Sequence, residues 1–295
     1  MMSLFDLSKR LKLRMTGGDR VRFLNGQVTN DVRKANANLS MPACVLNAKG
    51  KMDALIFVSA GAEDLFIDAD DDQRATLAQR LERYMIADDV MIEDVTEKFA
   101  LFHVTGETAP TLPNETDWRR AKRFGTIGWD LVVAATERDS VLRSLSAKDS
   151  LCDVECAERL RIEQGVPRWG YELTAQIIPV EANLADEAVD YGKGCYIGQE
   201  VISRMKISGQ MNKRLCGLVS ADNRPLSTSM RLFTLDDKKD AGWITSTTRS
   251  DRLGKEIALG FVKRGSNEIG TRLDALSPSE PAALVRVTVV ELPFR

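Results

Sequence analysis

The sequence predicts an α+β fold: a mixed N-terminal region over residues 1–208 and a C-terminal β-barrel domain over residues 209–295. In the first half, β-type and helical runs follow the order strand, strand, helix, strand, strand, which does not fit a doubly wound parallel sheet. From about Asn212 onward the chain contains only short strand-type runs separated by turn residues, a pattern typical of small barrels and sandwiches. This change of pattern places the domain boundary near Gly209.

The N-terminal elements are predicted in the following order. A short helix runs from about Asp19 to Gln27, with a glycine near its end. The β-type runs "ALIFVSA" and "DLFIDAD" flank a glycine-containing turn over residues 61–63 and indicate a hairpin. Apolar residues at fourfold spacing predict a helix over residues 70–85. "VMIEDV" and "FALFHVTG" then predict two more strands.

The clearest helix in the sequence is "SLCDVECAERLRIEQG". Ser150 begins the spacing of a capping box, and Gly165 is a natural stop. Cys152 and Cys156 share one face and are expected to be small buried side chains. The same face continues into a carboxylate, Glu163. Taken alone, that pattern favours a solvated last turn over a functional role.

The C-terminal strands are predicted from six short runs separated by turn chemistry, and their regular spacing indicates a small closed or nearly closed β unit. The six runs are "KRLCGLV", "SMRLFTL", "GWITSTT", "IALGFV", "TRLDAL" and "ALVRVTVVEL".

Charge and hydropathy limit the classes of function. The 295 residues include 41 Lys and Arg against 43 Asp and Glu, a net charge of −2, so the whole chain carries no electrostatic footprint for nucleic acid. No apolar run is long enough to span a membrane, and the start of the chain lacks a signal core, which predicts a cytoplasmic protein. Residues 118–124 form a local basic-aromatic patch. The favoured interpretation is a charged strand edge, with RNA binding as the alternative.

Several common catalytic and metal motifs are missing from the sequence. The five cysteines contain no C-x-x-C pair, so neither a zinc ribbon nor a thioredoxin-type site is expected, and no metal site is predicted. His103, the single histidine, lies in an apolar run and is expected to be structural. There is no G-x-S-x-G motif and no Walker A loop.

The stretch "DYGKGCYIGQEVISR" places Cys195 among three glycines. Their spacing, G-x-G-x-x-x-G after an acidic segment, fits neither the length nor the context of a dinucleotide-binding loop. A helix is predicted to begin near Gly198, and its N-terminus together with the charge of Lys193 would favour the thiolate form of the cysteine. From the residues alone, a reactive thiol and a small filler are equally supported.

The octet "KGCYIGQE" resembles the K-G-C-[FY]-x-G-Q-E signature of the YgfZ family, folate-binding proteins linked to iron–sulfur enzyme maintenance and tRNA modification. The resemblance continues in "DRVRFLNGQVTNDV", "NAKGKM", "ERLRIEQGVPRWGYEL", "GWITST" and "IALGFVKR", and so covers nearly the whole chain. The layout is also similar, more distantly, to the glycine-cleavage T-protein (GcvT), an aminomethyltransferase. This implies a GcvT/YgfZ-like folate-binding N-terminal region and a C-terminal β-barrel around a central folate cleft.

The resemblance implies roles for individual residues. Cys195 and Lys193 become the catalytic candidates. Glu163 matches the family glutamate that accepts hydrogen bonds from the pterin edge of tetrahydrofolate or another reduced folate. Further cofactor-binding candidates are Arg161, Tyr196 and Gln199, although Arg161 is also suited to packing or to pairing with a nearby acid. The implied function is that of a tetrahydrofolate-binding accessory protein that supports assembly or repair of iron–sulfur enzymes, including tRNA-modifying ones. Such enzymes would be its clients, and no membrane partner is expected.

A folate-dependent aminomethyl or one-carbon transferase is the main alternative. The transferase relatives carry an acid soon after the "N-A-x-G" motif, which falls here on Ala54 or Leu55, with Asp53 one or two positions away. A one-residue slip turns a strand side chain to the opposite face, so the acid is expected to be missing unless a bulge restores it. A second alternative is direct tRNA binding through the basic cluster at residues 119–123.

Overall fold

The structure is a computed structural model that describes residues 3–112, 117–146, 150–277 and 284–295. Its strands are β1 Ser3–Asp6, β2 Leu11–Thr16, β3 Met41–Leu46, β4 Met52–Ala60, β5 Leu65–Ala69, β6 Met91–Asp94, β7 Phe99–Thr105, β8 Arg119–Ala121, β9 Gly128–Ala134, β10 Ser150–Leu151, β11 Lys213–Ser220, β12 Arg231–Thr234, β13 Asp240–Ser250, β14 Lys255–Lys263, β15 Arg272–Leu276 and β16 Leu284–Val290. Its α-helices are α1 Arg20–Gln27, α2 Leu77–Glu82, α3 Arg138–Ser146, α4 Val154–Glu163, α5 Ala185–Ala188 and α6 Gln199–Ser208.

The chain divides into two compact units. The first, called here the sheet unit, comprises Met1–Asp153 and Leu184–Ser203. The second, called the barrel unit, comprises Val154–Asn183 and Arg204–Arg295. The division of the sequence near Gly209 into a folate-binding region and a barrel stays a prediction.

The first sheet of the sheet unit has the order β3-β4-β5-β2-β6, and every pair in it is antiparallel. Alternate residues of its strands, such as Leu13, Ile56 and Ile67, are fully buried on one face and form a core with α1 and α2. Strands with this alternation bury one face, as expected for a half-covered antiparallel sheet. The predicted helix over residues 70–85 is shorter in the structure, since a 3₁₀ turn at Asp71–Gln73 precedes α2.

The second sheet of the sheet unit has the order β10-β1-β7-β9-β8, and α3 packs on its apolar face. The predicted capping box at Ser150 is wrong. Residues 150 and 151 form β10 parallel to β1, and the N–H of Cys152 donates to the carbonyl of Leu4 at 2.8 Å, so α4 begins at Val154. The backbone groups that a helix would use there are taken by the sheet.

A buried ionic cluster joins the two sheets. The guanidinium of Arg123 donates to both carboxylate oxygens of Asp68 on β5 and of Asp130 on β9, at 2.7–2.9 Å. Burial opposes ionisation of Asp130, but the charge of Arg123 outweighs it and lowers the pKa of the aspartate. His103 is fully buried with Nδ1 2.8 Å from Asp130, which agrees with a structural role for this residue.

The barrel unit contains a closed six-stranded barrel in the order β11-β14-β13-β12-β15-β16. Its interior is filled by alternate apolar residues, among them Leu218, Ile244 and Val287. The predicted C-terminal β-barrel is therefore confirmed. A β-bulge between Ile244 and Ser246 changes the pairing of β13 with β14.

Candidate functional site

The octet with the family resemblance, residues 193–200, starts in a loop of the sheet unit, residues 190–198, called here the Cys195 loop, and its last two residues begin α6. The thiol of Cys195 is free and exposed. Two backbone hydrogen bonds fasten the ends of the loop to the segment around the end of α1: Asp190 N–H to Thr29 O (3.0 Å) and Ile197 N–H to Gly26 O (3.2 Å). The cysteine is thus presented at the surface of a loop whose ends are fixed.

Lys193 is buried, with 6 % exposed, although the glycines on either side of it and Cys195 are exposed. Its Nζ donates to the backbone carbonyls of Asn25 (2.6 Å), Val28 (2.6 Å) and Asn30 (2.9 Å). Desolvation by burial lowers the pKa of Lys193 to about 8. An ammonium has three N–H groups. All three are used here, so none is left to donate to the Cys195 thiolate.

The three glycines of the loop play different parts. Gly198 has φ +83°, and a Cβ there would lie 2.7 Å from the carbonyl oxygen of Asn47. Gly192 and Gly194 do not have left-handed backbone, and a Cβ on Gly194 would meet nothing within 4 Å. Gly198 is therefore required by backbone conformation and by close approach, whereas Gly194 leaves open space next to the thiol.

Tyr196 and Gln199, two predicted cofactor contacts, follow the cysteine. The Tyr196 side chain is buried, which raises the pKa of its phenol to about 12, and its ring centroid lies 5.0 Å from Nζ of Lys193. Gln199 is the first residue of α6, and its N–H donates to the carbonyl of Tyr196 at 3.2 Å. Contact of either residue with a cofactor stays a prediction.

Glu163 lies in the barrel unit as the last residue of α4. Its Oε1 accepts a hydrogen bond from the hydroxyl of Ser250 on β13, and its carbonyl accepts one from the N–H of Phe294 at 2.9 Å. Gly165, with φ +72°, ends the helix at the position predicted from the sequence. The carboxylate is therefore partly exposed but held at a defined place on the barrel, and it is not a frayed end.

Arg161 is placed one half-turn before Glu163 but is buried, with 3 % exposed. Its guanidinium donates to Glu158, to Oε2 of Glu172 at 2.9 Å and to the hydroxyl of Ser246 at 2.6 Å. Ser246 in turn donates to Oε1 of Glu172 at 2.6 Å. These contacts fix α4 on β13, so the structure supports packing against a buried acid, the role the sequence also allowed for Arg161.

Asp53 is the extra residue of a β-bulge in the sheet unit. Residues 52 and 54 of β4 pair with neighbouring residues of β3, so Asp53 has no opposite residue. Its Oδ2 accepts from Nε of Arg80 at 2.6 Å, and Arg80 also donates to the carbonyl of Leu46 at 2.6 Å. The bulge needed to change the direction of this acid is present, and the carboxylate in it is ion-paired.

The basic patch at residues 118–124 is largely engaged within the sheet unit. Arg123 is buried between two aspartates, and Arg119 is mostly buried with a hydrogen bond to a serine hydroxyl at 2.7 Å. Lys122 is paired with a glutamate, and Arg120 is exposed. The cluster lies on β8 at the sheet edge and just after it, and it does not form a continuous cationic surface.

The other cysteines have different environments from Cys195. Burial raises the pKa of Cys44 to about 12 and that of Cys216 to about 11. Cys152 and Cys156, expected to be small buried side chains, are half-buried and disulfide-bonded.

Metal-binding clusters and membrane-spanning helices were considered only for the residues that the structure describes, 3–112, 117–146, 150–277 and 284–295. These residues contain no group of three histidine, cysteine, aspartate or glutamate side chains placed to hold a metal ion. In the same part of the chain, no helix is long and apolar enough to cross a bilayer.

A cavity of about 610 Å³ in the barrel unit was not indicated by the sequence. Its wall includes Tyr171, Arg231 and Trp243. Because these residues come from separate segments, no local sequence pattern could have shown that they share a wall.

Comparison with known proteins identifies the fold. Residues 213–295 match the family of the glycine cleavage T-protein C-terminal barrel domain. The crystal structure of the aminomethyltransferase T of the glycine cleavage system from Bartonella henselae superposes with a TM-score of 0.86 at 17 % identity, covering 100 % of this chain and 86 % of that one. The chain therefore has an aminomethyltransferase-like fold with a T-protein C-terminal barrel domain.

Two proteins that are similar to this chain in sequence are also aminomethyltransferases. An aminomethyltransferase of Shouchella clausii is 27 % identical over 325 residues, covering 99 % of this chain and 86 % of the relative. An aminomethyltransferase of Bacillus subtilis is 26 % identical over 330 residues, covering 99 % and 87 %. These likenesses support the T-protein-like superfamily, while the narrower YgfZ resemblance stays a prediction.

Proposed function

We propose that this chain is a tetrahydrofolate-binding accessory protein that supports assembly or repair of iron–sulfur enzymes, with Cys195 as its functional thiol. Reduced folate is the proposed cofactor, and iron–sulfur enzymes, including tRNA-modifying ones, are the proposed clients. The observation that carries the proposal is Glu163, a partly exposed carboxylate anchored at the end of α4 by Ser250.

Glu163 suits the pterin edge of a folate for a simple chemical reason. A carboxylate offers about four acceptor sites on two oxygens, and Ser250 uses one of them on Oε1. The remaining sites can pair with the adjacent ring N–H and amino group of a pterin. Charge-assisted hydrogen bonds of this kind contribute about 1.5–3 kcal/mol each. The cofactor, when bound, would supply a carrier for one-carbon units, and this chain's part is to bind and orient it.

Cys195 is supported as the functional thiol by its exposure. Among the three free cysteines, Cys44 and Cys216 are buried, and Cys195 is exposed on a loop with open space at Gly194. A partner can therefore reach this sulfur without opening the core. The link from this thiol to iron–sulfur enzymes rests on the resemblance of the octet.

An aminomethyl or one-carbon transferase is the second candidate, and the β-bulge at Asp53 is the observation that favours it. The ion pair of Asp53 with Arg80 counts against it, because the carboxylate already contacts a guanidinium at 2.6 Å and would have to leave that contact to reach a substrate. Incubating the purified protein with an aminomethyl donor and tetrahydrofolate tests this candidate: robust turnover would establish it, and absent or marginal turnover is expected.

Direct tRNA binding is the third candidate. The engaged side chains of the basic patch reduce its support, since two of the four cations are buried with internal partners. Retention of RNA at low salt that weakens steeply with added salt would favour it, because phosphate contacts release counterions.

Two experiments test the main proposal. Calorimetric titration of the purified protein with tetrahydrofolate should show saturable binding, and the absence of binding would refute the folate part. Replacing the chromosomal copy with Cys195→Ser should abolish support of iron–sulfur enzyme activity in cells while folding and folate affinity stay nearly unchanged. Normal iron–sulfur activity in that strain would refute the role of the thiol.

A further inference from the structure

We infer that Lys193 is a positioning residue, whose ammonium fastens the middle of the Cys195 loop to the end of α1 and so fixes where the thiol is presented. The inference rests on the proposed role of Cys195. It differs from activation of the sulfur by a neighbouring cation, which is the role the sequence predicts for Lys193.

The carbonyls that accept hydrogen bonds from the Lys193 ammonium lie at the C-terminal end of α1, where a cation is favourable. The carbonyls that accept from Lys193 belong to Asn25, in the last turn of α1, and to Val28 and Asn30 just after it. Carbonyls in the last turn of a helix have no partner within the helix, and a lysine side chain can satisfy them. A buried ammonium in turn needs all its N–H groups bonded. The arrangement meets both needs at once.

The same two segments are joined at several further points. These contacts are Thr29 Oγ1 to Ala188 O, Asn30 Nδ2 to Glu187 O, Asp190 N–H to Thr29 O and Ile197 N–H to Gly26 O. They hold residues 187–190 and residue 197, that is, the two ends of the loop. Lys193 adds the contact from the middle, two residues before the thiol. Without it the ends stay fixed and the centre of the loop is free to move.

The hydrogen bonds of the Lys193 ammonium distinguish a positioning role from direct activation of the Cys195 thiolate. A cation that activates a thiolate directly would donate an N–H to sulfur, but the three donors of Lys193 point to three carbonyls. Loss of the ammonium should therefore leave the reactivity of an exposed thiol nearly unchanged and should release the backbone around it.

The variant Lys193→Met, which keeps the chain length and removes the donors, tests this inference. We expect amide hydrogen exchange at Gly192, whose N–H donates to Oδ1 of Asp190 at 2.8 Å, to accelerate by at least about tenfold, corresponding to about 1.4 kcal/mol of lost protection. The rate of Cys195 alkylation by iodoacetamide should stay close to that of the wild type, while support of iron–sulfur enzymes in cells is lost. Lys34→Met is the matched control, because Lys34 is an exposed cation paired with Asp190 of the same loop, and it should change none of these readouts.

Alkylation slowed about tenfold with unchanged exchange would show that Lys193 acts on the sulfur by charge and would overturn the inference. Unchanged exchange with normal cellular function would overturn it as well. If Lys193→Met does not fold, the wild-type protein still gives an answer. Lys193 should then react with an amine-acylating reagent at least about tenfold more slowly than Lys34 when each rate is divided by the fraction of neutral amine, since three hydrogen bonds and burial protect it. Equal corrected rates would contradict the burial of the Lys193 ammonium and its three hydrogen bonds.

Amide exchange and lysine labelling need neither folate nor an iron–sulfur client. A protein that fails to bind tetrahydrofolate can therefore still show the predicted protection of the loop. A protein that binds folate can equally fail this test, so the two proposals are distinguished.

Discussion

The hydroxyl of Ser250, fully buried on β13, donates to Oε1 of Glu163 while its own oxygen accepts the N–H of Leu253 at 3.2 Å. The hydroxyl proton is thereby directed at the carboxylate, and the rotamer of Glu163 is fixed by the barrel. Preorganised groups of this kind lose little freedom on binding a ligand. This contact supports the proposal that Glu163 binds a ligand.

We expect Cys195 to be the most reactive of the cysteines at neutral pH. Burial raises the pKa of Cys216 from 9.0 to about 11, which lowers its thiolate fraction about hundredfold, and Cys44 is shifted further, to about 12. Mass-spectrometric alkylation rates under non-reducing conditions check this. Labelling of Cys44 or Cys216 at the rate of Cys195 would contradict the burial that the structure shows.

Gly198→Ala should destabilise the protein by at least about 1–3 kcal/mol, because an alanine is strained at φ +83° and its Cβ would approach the carbonyl oxygen of Asn47. Gly194→Ala is the matched control and should be nearly neutral, since open space surrounds that position. Urea unfolding of the two variants measures the difference. Equal stability would show that Gly198 is not held in the conformation described.

Arg123→Met should cost about 3–5 kcal/mol in free energy of unfolding, because it leaves Asp68 and Asp130 buried without their shared cation. Arg120→Met, three residues before Arg123 and exposed, should change stability by less than about 0.5 kcal/mol. Thermal and urea unfolding check both values. A small effect for Arg123→Met would mean that the aspartates find other partners.

The pH dependence of stability should reflect the burial of Lys193. The pKa of Lys193 is about 8 in the folded chain against the ordinary lysine value of 10.5, so between these pH values the unfolded state binds more protons. Stability from this group therefore rises as pH increases from about 8 to 10.5. The free energy of unfolding of the wild type, minus that of Lys193→Met, should increase over this window. A difference that falls or stays constant would contradict the lowered pKa.

The barrel could be predicted from sequence because its strands are short, regular and separated by turn residues. The burial of Lys12 on strand β2 could not, because the alternation of apolar and charged residues there indicates a half-exposed strand, whereas Lys12 is fully buried and its Nζ donates to the carbonyls of Ser8 and Arg10. A charged residue in a strand predicts an exposed face, and local carbonyl partners that make burial possible are invisible in a sequence pattern.

The candidate site could be predicted only in part for a related reason. Cys195 and Gly198 stand out by residue type and spacing, and Gly165 correctly marks the end of α4. The partners that decide what the residues do are distant in sequence: the carbonyls around Lys193 lie more than 160 residues before it, and Ser250 lies 87 residues after Glu163. Whether the basic patch at residues 118–124 is a strand edge or an RNA-binding surface could not be decided from the sequence. The pairing of Arg123 with Asp68 and Asp130 is not visible in the sequence of the patch itself.

Isothermal titration with tetrahydrofolate of the wild type, Glu163→Gln and Glu155→Gln tests the central claim most directly. Glu155 is an exposed glutamate in the first turn of the same helix and serves as the control. We expect tight binding by the wild type and the control, and an affinity at least about tenfold weaker for Glu163→Gln, since loss of one charge-assisted contact exceeds about 1.4 kcal/mol. Equal affinities for all three proteins would contradict the assignment of Glu163 to the pterin.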